Sequence, residues 1–329
     1  MLMELQKTKQ KQKKQVPENI LSEALEVKDV RFIESNTMAL PLKELKENHI
    51  IPVFVKDNEQ IIAHQEFIDT AYQVTTDVFG SIDDPAIRVS HPVKGRVPGA
   101  KGKMAAELLE HEKTIYYERM AFLVDIPLIT KEVNGNTLTL TVGGVRALNQ
   151  ENLYNYKGIE KFKLFIGFKV SVCTNLCIST DGYSGTIRVS SIKELSFKIR
   201  HILEQFQLDE QIDFFKALHS KSLSEKQFAQ LVGRSKLYTH LPKEVKKELP
   251  EFSFGDSMVS TIVKEYYKDD HFGQHNDGSI DLWSLYNLFT SVNKNSYIDT
   301  FLDRGVNAHE FVKGIHTALD AGNKHWFLS

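Results

Sequence analysis

The chain has 329 residues, 41% of them hydrophobic, and balances 41 Lys and Arg against 43 Asp and Glu for a formal net charge of -2. That composition describes a globular chain with a sizeable core and excludes collagenous and low-complexity classes; no apolar run approaches the roughly 18 residues of a membrane span. Only two cysteines occur, Cys173 and Cys177, which excludes a disulfide scaffold and fits a reducing, cytoplasmic setting.

Charge is blocked along the chain. Residues 1–15 carry five lysines and one glutamate, with no apolar stretch of a secretory signal, and read as a disordered basic tail. Residues 16–85 hold fourteen acids and five bases. Residues 86–106 then carry Arg88, Lys94, Arg96, Lys101 and Lys103 with no acid among them.

In chain order, Ile50–Val55 reads as a short strand, with Pro52 pointing to an edge or a strand start. Phe67, Ala71, Val74 and Val78 recur at helical spacing over 64–79. Five cations interleaved with Pro92, Gly95, Pro98, Gly99 and Gly102 make 86–106 a loop at a strand end. Residues 104–118 begin as a helix and turn extended near Thr114. Asn134-Gly135, between Met120–Glu132 and Thr137–Leu148, predicts an antiparallel hairpin on a type I′ turn. In its second arm Leu138, Leu140 and Val142 face one way and Thr137, Thr139 and Thr141 the other. Lys163–Cys173 is another strand, in which Gly167 marks a bend or a close backbone approach, and Thr186–Ser190 a short one.

Helices follow. Ser191 with Glu194 and Ser224 with Gln227 are capping boxes. Ile192, Leu195, Ile199, Ile202, Leu203 and Phe206 form one stripe, and 256–268, 281–293 and 306–321 are also helical, the last closed by Gly322. The expected fold class is α+β: a β-rich mixed N-terminal half with antiparallel hairpins, then an all-helical C-terminal half. The expected division is a tail over 1–15, a mixed α/β domain over 16–190, and a helical domain or extension packed on it over 191–329.

No catalytic signature is complete. Before Gly102-Lys103 the P-loop glycine is replaced by Val97, and its hydroxyl residue by Met104. His111-Glu112 lacks the second imidazole of a zinc helix, because position 115 is Ile. Gly182-Tyr183-Ser184-Gly185 is one residue short of a nucleophile elbow. Cys173 and Cys177 supply half a zinc site at most, and read as buried free thiols. No metal and no cofactor are expected. The cations of 86–106 have the pattern of a phosphate-contacting segment, or else they balance the acidic block before them. Aromatic residues are frequent in the β half, and Tyr154 and Tyr156, near Lys157 and Lys161, are the candidates for stacking on bases.

Four strings in order, SHPVKGRVPGAKGK, HEKTIYYERMAF, VGGVRALNQENLY and FIGFKVSVCTNLCISTDG, resemble a bacterial family called domain of unknown function thirty-eight seventy-one, over about residues 80–320. A broader similarity, through Val172-Cys173-Thr174-Asn175 and LWSLYNLFTSVNKNSYIDTFLDRG, is to phage- and plasmid-related proteins of unknown function. The resemblance implies a setting in mobile elements and supplies no catalytic residue. The expected function is therefore a cytoplasmic, non-enzymatic, nucleic-acid-associated protein of the single-strand binding or annealing type. Arg88, Lys94, Arg96, Lys101, Lys103, Tyr154 and Tyr156 would form its contact surface, and its partners would be single-stranded DNA or RNA and proteins of the same mobile element. The alternative is a protein-interaction or inhibitor module, favoured by the acidic block. A hydrolase or nuclease with dispersed residues would instead need a cleft of convergent carboxylates or histidines.

Overall fold

The computed structural model describes residues 31–49, 61–100, 102–151 and 159–329; the expected tail and the strand over Ile50–Val55 lie outside them. The N-terminal half runs β1 (Met38–Ala39), α1 (Leu42–Asn48), α2 (His64–Phe79), β2 (Ala86–Val89), β3 (Pro92–Arg96), β4 (Lys113–Tyr117), β5 (Arg119–Val133), β6 (Asn136–Ala147), β7 (Glu160–Val170), β8 (Leu176–Cys177) and β9 (Tyr183–Val189). The C-terminal half runs α3 (Ile192–Gln205), α4 (Leu208–Leu218), β10 (Ser222–Leu223), α5 (Glu225–His240), α6 (Lys243–Lys246), α7 (Asp256–Lys268), β11 (Ile280–Asp281), α8 (Leu282–Asn293) and α9 (Ile298–Asp320). The fold is α+β, as the periodicities predict.

Among the described residues, seven strands form one antiparallel sheet in the order β1-β2-β5-β6-β7-β8, with β9 also pairing with β7. The hairpin β5–β6 is its centre. Val133 pairs with Asn136, and Asn134 (φ 51) and Gly135 (φ 77) both take the left-handed conformation that a type I′ turn requires. Between Ile126 and Thr130 the β5 register shifts. Pro127 lies there and offers no N–H to the ladder, and Leu128 is left 75% exposed. Gly167 is the predicted close approach: a Cβ there would lie 2.4 Å from the carbonyl oxygen of Cys177.

One face of the sheet, with Val89, Phe122, Leu140, Ile166 and Phe168, continues into a buried cluster that includes α2, α3 and the later helices. The other face, with Ala121, Leu123, Val145 and Phe165, packs on Phe32, Ile298, Phe301 and Leu302. The sheet thus carries packed apolar residues on both sides, and the threonine face is only partly solvated: Thr137 and Thr139 are half-buried. Thr141 is fully buried and donates to Asp125, which also pairs with Lys169.

Several expectations need correction. Residues 104–118 do not open as an α-helix: two short 3-10 turns, Ala105–Glu107 and Glu110–Glu112, precede β4. The segment 86–106 is not one loop: β2 and β3 take up nine of its residues, because their pairing partners come from far along the chain. The pairing of β2 with β5 continues in the same register as that of β3 with β4, broken only at residues 90–91 and 118–119. The C-terminal half is not wholly helical, since β10 pairs with β11. Helix α9 begins at Ile298, two turns before the expected start, and α4 was not foreseen. The strand expected over 163–173 is β7, which ends at Val170. Ile192 is 40% exposed and falls off the buried stripe of α3.

Candidate nucleic-acid interface

Hairpin β3–β4 is separate from the main sheet and carries the basic segment. Lys94 pairs in register with Ile115 and Arg96 with Lys113. Opposite residues share a face, as do residues two apart, so Lys94, Arg96 and Lys113 stand on one face of the ribbon. Lys94 is exposed, and Arg96 is partly buried and donates to the carbonyl of Lys103.

The cations are not without acids. The 3-10 turns bring Glu110 to Lys113, at 2.5 Å, and Glu112 to Lys103. Lys113 and Lys103 hold these two carboxyls below the ordinary range. The acid-free run 86–106 ends one residue before Glu107, and Glu110 and Glu112 follow within six residues of its end. Lys101, Tyr154 and Tyr156 lie outside the described residues. Arg88 is not brought to this face. It is 6% exposed in β2, and its guanidinium donates to the hydroxyl and carbonyl of Thr37 at 3.0–3.1 Å.

Beneath β4 lies a buried polar network that no motif announced. His49 and His64 stack with ring centroids 4.3 Å apart. His64 Nε2 donates to the carbonyl of Tyr117 at 2.8 Å, and His49 Nδ1 accepts the Tyr117 N–H at 3.2 Å. These partners assign the tautomers: the proton sits on Nε2 in both rings. Burial, aided by the Arg146 charge, pulls the His49 pKa down to about 4; burial, then His49 and Arg146, hold His64 well below its ordinary value. Arg146 is fully buried. It donates to Glu160 at 2.7 Å and to Glu151 at 3.2 Å, and lies 4.7 Å from the ring centroid of Phe162. One signal was available: Arg146 continues the alternation of Leu138, Leu140 and Val142, so it falls on an apolar face.

A cleft of about 530 Å³ lies between β9 and α9, lined by Tyr183, Glu251, Asp303 and Glu310 among others. Asp303 accepts from Lys163 at 2.6 Å and from Tyr183 at 2.5 Å. Glu310 accepts from Thr180 at 2.6 Å and approaches His309 Nδ1 at 3.2 Å, and its pKa is lowered to about 2 with the His309 contact as the leading cause. Cys173 and Cys177 are free thiols, both pushed up by burial. No helix among the described residues is long and apolar enough to cross a membrane.

No curated protein and no solved structure matches this chain. The family model described as "Domain of unknown function, B. Theta Gene description (DUF3871)" matches residues 14–328, and the chain belongs to that family.

Proposed function

We propose that this protein binds single-stranded nucleic acid through the cationic face of hairpin β3–β4, as a non-enzymatic component of a mobile element acting in the cytoplasm. The observation that carries the reading is the register of the ribbon. Arg96 and Lys113 stand directly opposite each other with Lys94 beside them. Like charges opposite one another destabilise a strand pair, and local conflicts of this kind collect at functional sites. Glu110 offsets part of the Lys113 charge, and a phosphate backbone laid along the face would relieve the repulsion that remains and release counterions. The binding reading also agrees with the cleft chemistry. A general acid or base works best with a pKa near the operating pH. Glu310 lies far below it, and Asp303 is engaged by Lys163 and Tyr183.

Fluorescence anisotropy with labelled single- and double-stranded oligonucleotides across a salt series tests this. The expected result is single-strand binding that weakens with salt. Replacing Lys94, Arg96 and Lys113 together by Ala should reduce the log–log salt slope by about 2 units, from roughly 0.7 per lost contact on a single strand. Wild-type protein that binds no oligonucleotide at low salt rejects the reading. A second reading, a module that docks on another protein of the same element, is favoured by Met104, Leu109 and Ile115. These residues are 69%, 55% and 39% exposed on or beside the same hairpin. It predicts partner binding that persists at high salt.

A further inference from the structure

Where the ladder of β2 and β5 hands over to β3 and β4, the break leaves a pocket of about 230 Å³. Its walls come from four places: the 35–37 turn, residues 90–93, Glu118-Arg119, and Tyr297-Ile298 at the start of α9. We propose that this pocket receives one unpaired guanine base of a bound single strand, an inference that rests on the nucleic-acid reading above and specifies how that strand is read.

Three observations decide the ligand class. First, the volume falls short of the roughly 300–1,000 Å³ of sites for drug-sized molecules, so it suits one flat ring system and not a base pair. Second, Tyr297 lines the pocket and is 57% exposed, a free aromatic face of the kind on which bases stack. Third, the Arg119 guanidinium is held without being used up. The nearest oxygens of Asp299 and Glu118 lie 3.7 Å from it, beyond hydrogen-bond range, and its buried Nε has no hydrogen-bond partner among the described residues.

The carboxylates also argue against a phosphate here, since an anion entering the pocket would meet Glu118 in its wall and an Arg119 charge already offset by Asp299 beside it. A neutral base meets no such penalty. Guanine offers O6 and N7 as acceptors to an arginine fork, and its N–H groups are donors that the Glu118 carboxylate can accept. Adenine and cytosine place a donor where guanine has O6. The backbone contacts of the arm and the base pocket at its root would then act on consecutive parts of one strand.

The test compares a labelled oligo-dT with the same oligonucleotide carrying one central dG, using the full chain. Wild type is expected to favour the dG strand about tenfold. Tyr297→Ala and Arg119→Gln should each erase that preference while retaining salt-dependent binding of oligo-dT. If Arg119→Gln fails to fold by circular dichroism, the exposed Tyr297→Ala still decides. Equal affinity of wild type for both strands, or a preference that survives Tyr297→Ala, overturns the base pocket and leaves the arm reading standing. Competition by inorganic phosphate as strong as by guanosine would make this a phosphate site and also overturns it. No binding of either strand at low salt removes the nucleic-acid reading itself.

Discussion

His49 and His64 are held neutral in the fold, and this gives the protein a defined acid response. In the unfolded chain both imidazoles titrate near pH 6.5. In the folded chain His49 titrates near 4 and His64 well below its ordinary value. Between pH 6.5 and 4 the unfolded state therefore binds more protons. Stability is complete above about pH 6.5 and falls as the pH drops toward 4, with His49 alone responsible for about 3 kcal/mol. Urea midpoints measured from pH 7 to 4.5 should decline steadily. His49→Asn, which keeps an acceptor for the Tyr117 N–H, should flatten that decline. A midpoint that does not move between pH 7 and 5 contradicts the neutral pair. Arg146 makes the converse point. Arg146→Met leaves Glu160 buried without its guanidinium and should cost about 3–5 kcal/mol in urea unfolding. The double change Arg146→Met with Glu160→Gln should recover part of the loss, which a purely steric role for Arg146 would not allow. The alternation of β6 shows Arg146 to be inward, but the carboxylates that accept it come from residues 151 and 160, and only the fold brings them close.

At the scale of elements, legibility followed the range of the interactions involved. The β5–β6 hairpin was readable because its turn needs two left-handed residues, and Asn134-Gly135 supplies them side by side. The caps of α3 and α5 were readable for the same local reason: Ser191 accepts from the Glu194 N–H and Ser224 from the Gln227 N–H, although only α5 closes its capping box, since the Glu194 side chain accepts from Ser190. Strand β3 was not readable, and β4 was readable only as chain that turns extended near Thr114, without its partner. Glycine and proline in 92–102 signal a break, and the partner strand lies some twenty residues away. The first two turns of α9 were missed because their apolar residues, Ile298, Phe301 and Leu302, pack on the second sheet face while Phe311, Val312 and Ile315 join the main cluster. The helix thus has no single stripe. Gly167 tests the element scale. A methyl group there would meet the Cys177 carbonyl at 2.4 Å, a backbone atom that cannot rotate away. Gly167→Ala should cost about 1–3 kcal/mol, as overpacking does. Faster amide hydrogen exchange should appear first in Leu176–Cys177, where β8 would part from β7. Unchanged stability and exchange would mean that β8 is free to shift.

Over the whole molecule, the two halves are joined by apolar and polar contacts. Phe168 of β7 lies 6.2 Å from Phe215 of α4, and the Asn134 side chain donates to the Phe215 carbonyl at 3.0 Å. Lys163 reaches Asp303, Asn175 donates to the Asn287 carbonyl at 3.1 Å, and Lys294 donates to the Cys173 carbonyl. A fragment ending at residue 190 would expose Phe168, Val170 and Cys177 to water and strand the buried Lys163 without its carboxylate. Expressed alone, it should lack the dispersed amide spectrum of a folded domain, and the full chain should unfold in one transition by near- and far-ultraviolet circular dichroism. Two separated transitions, or a folded fragment, would show that the halves are independent.

The amino-acid sequence by itself determined what depends on neighbours: the turn at Asn134-Gly135, the helix caps, the alternation of β6, the order of a β-rich half before a helical one, and the strings that mark the family. Tertiary structure alone decided which charges are surface and which are core. Arg146 alone is signalled by the β6 alternation; Arg88, Lys163 and Lys169 look like any other cations in the chain, yet each is at most 9% exposed. Glu112 falls outside the basic segment in sequence but pairs with its Lys103 in space. The physical reason is that charge acts through distance, and the distance between residues far apart in the chain is set only when strands pair and helices pack.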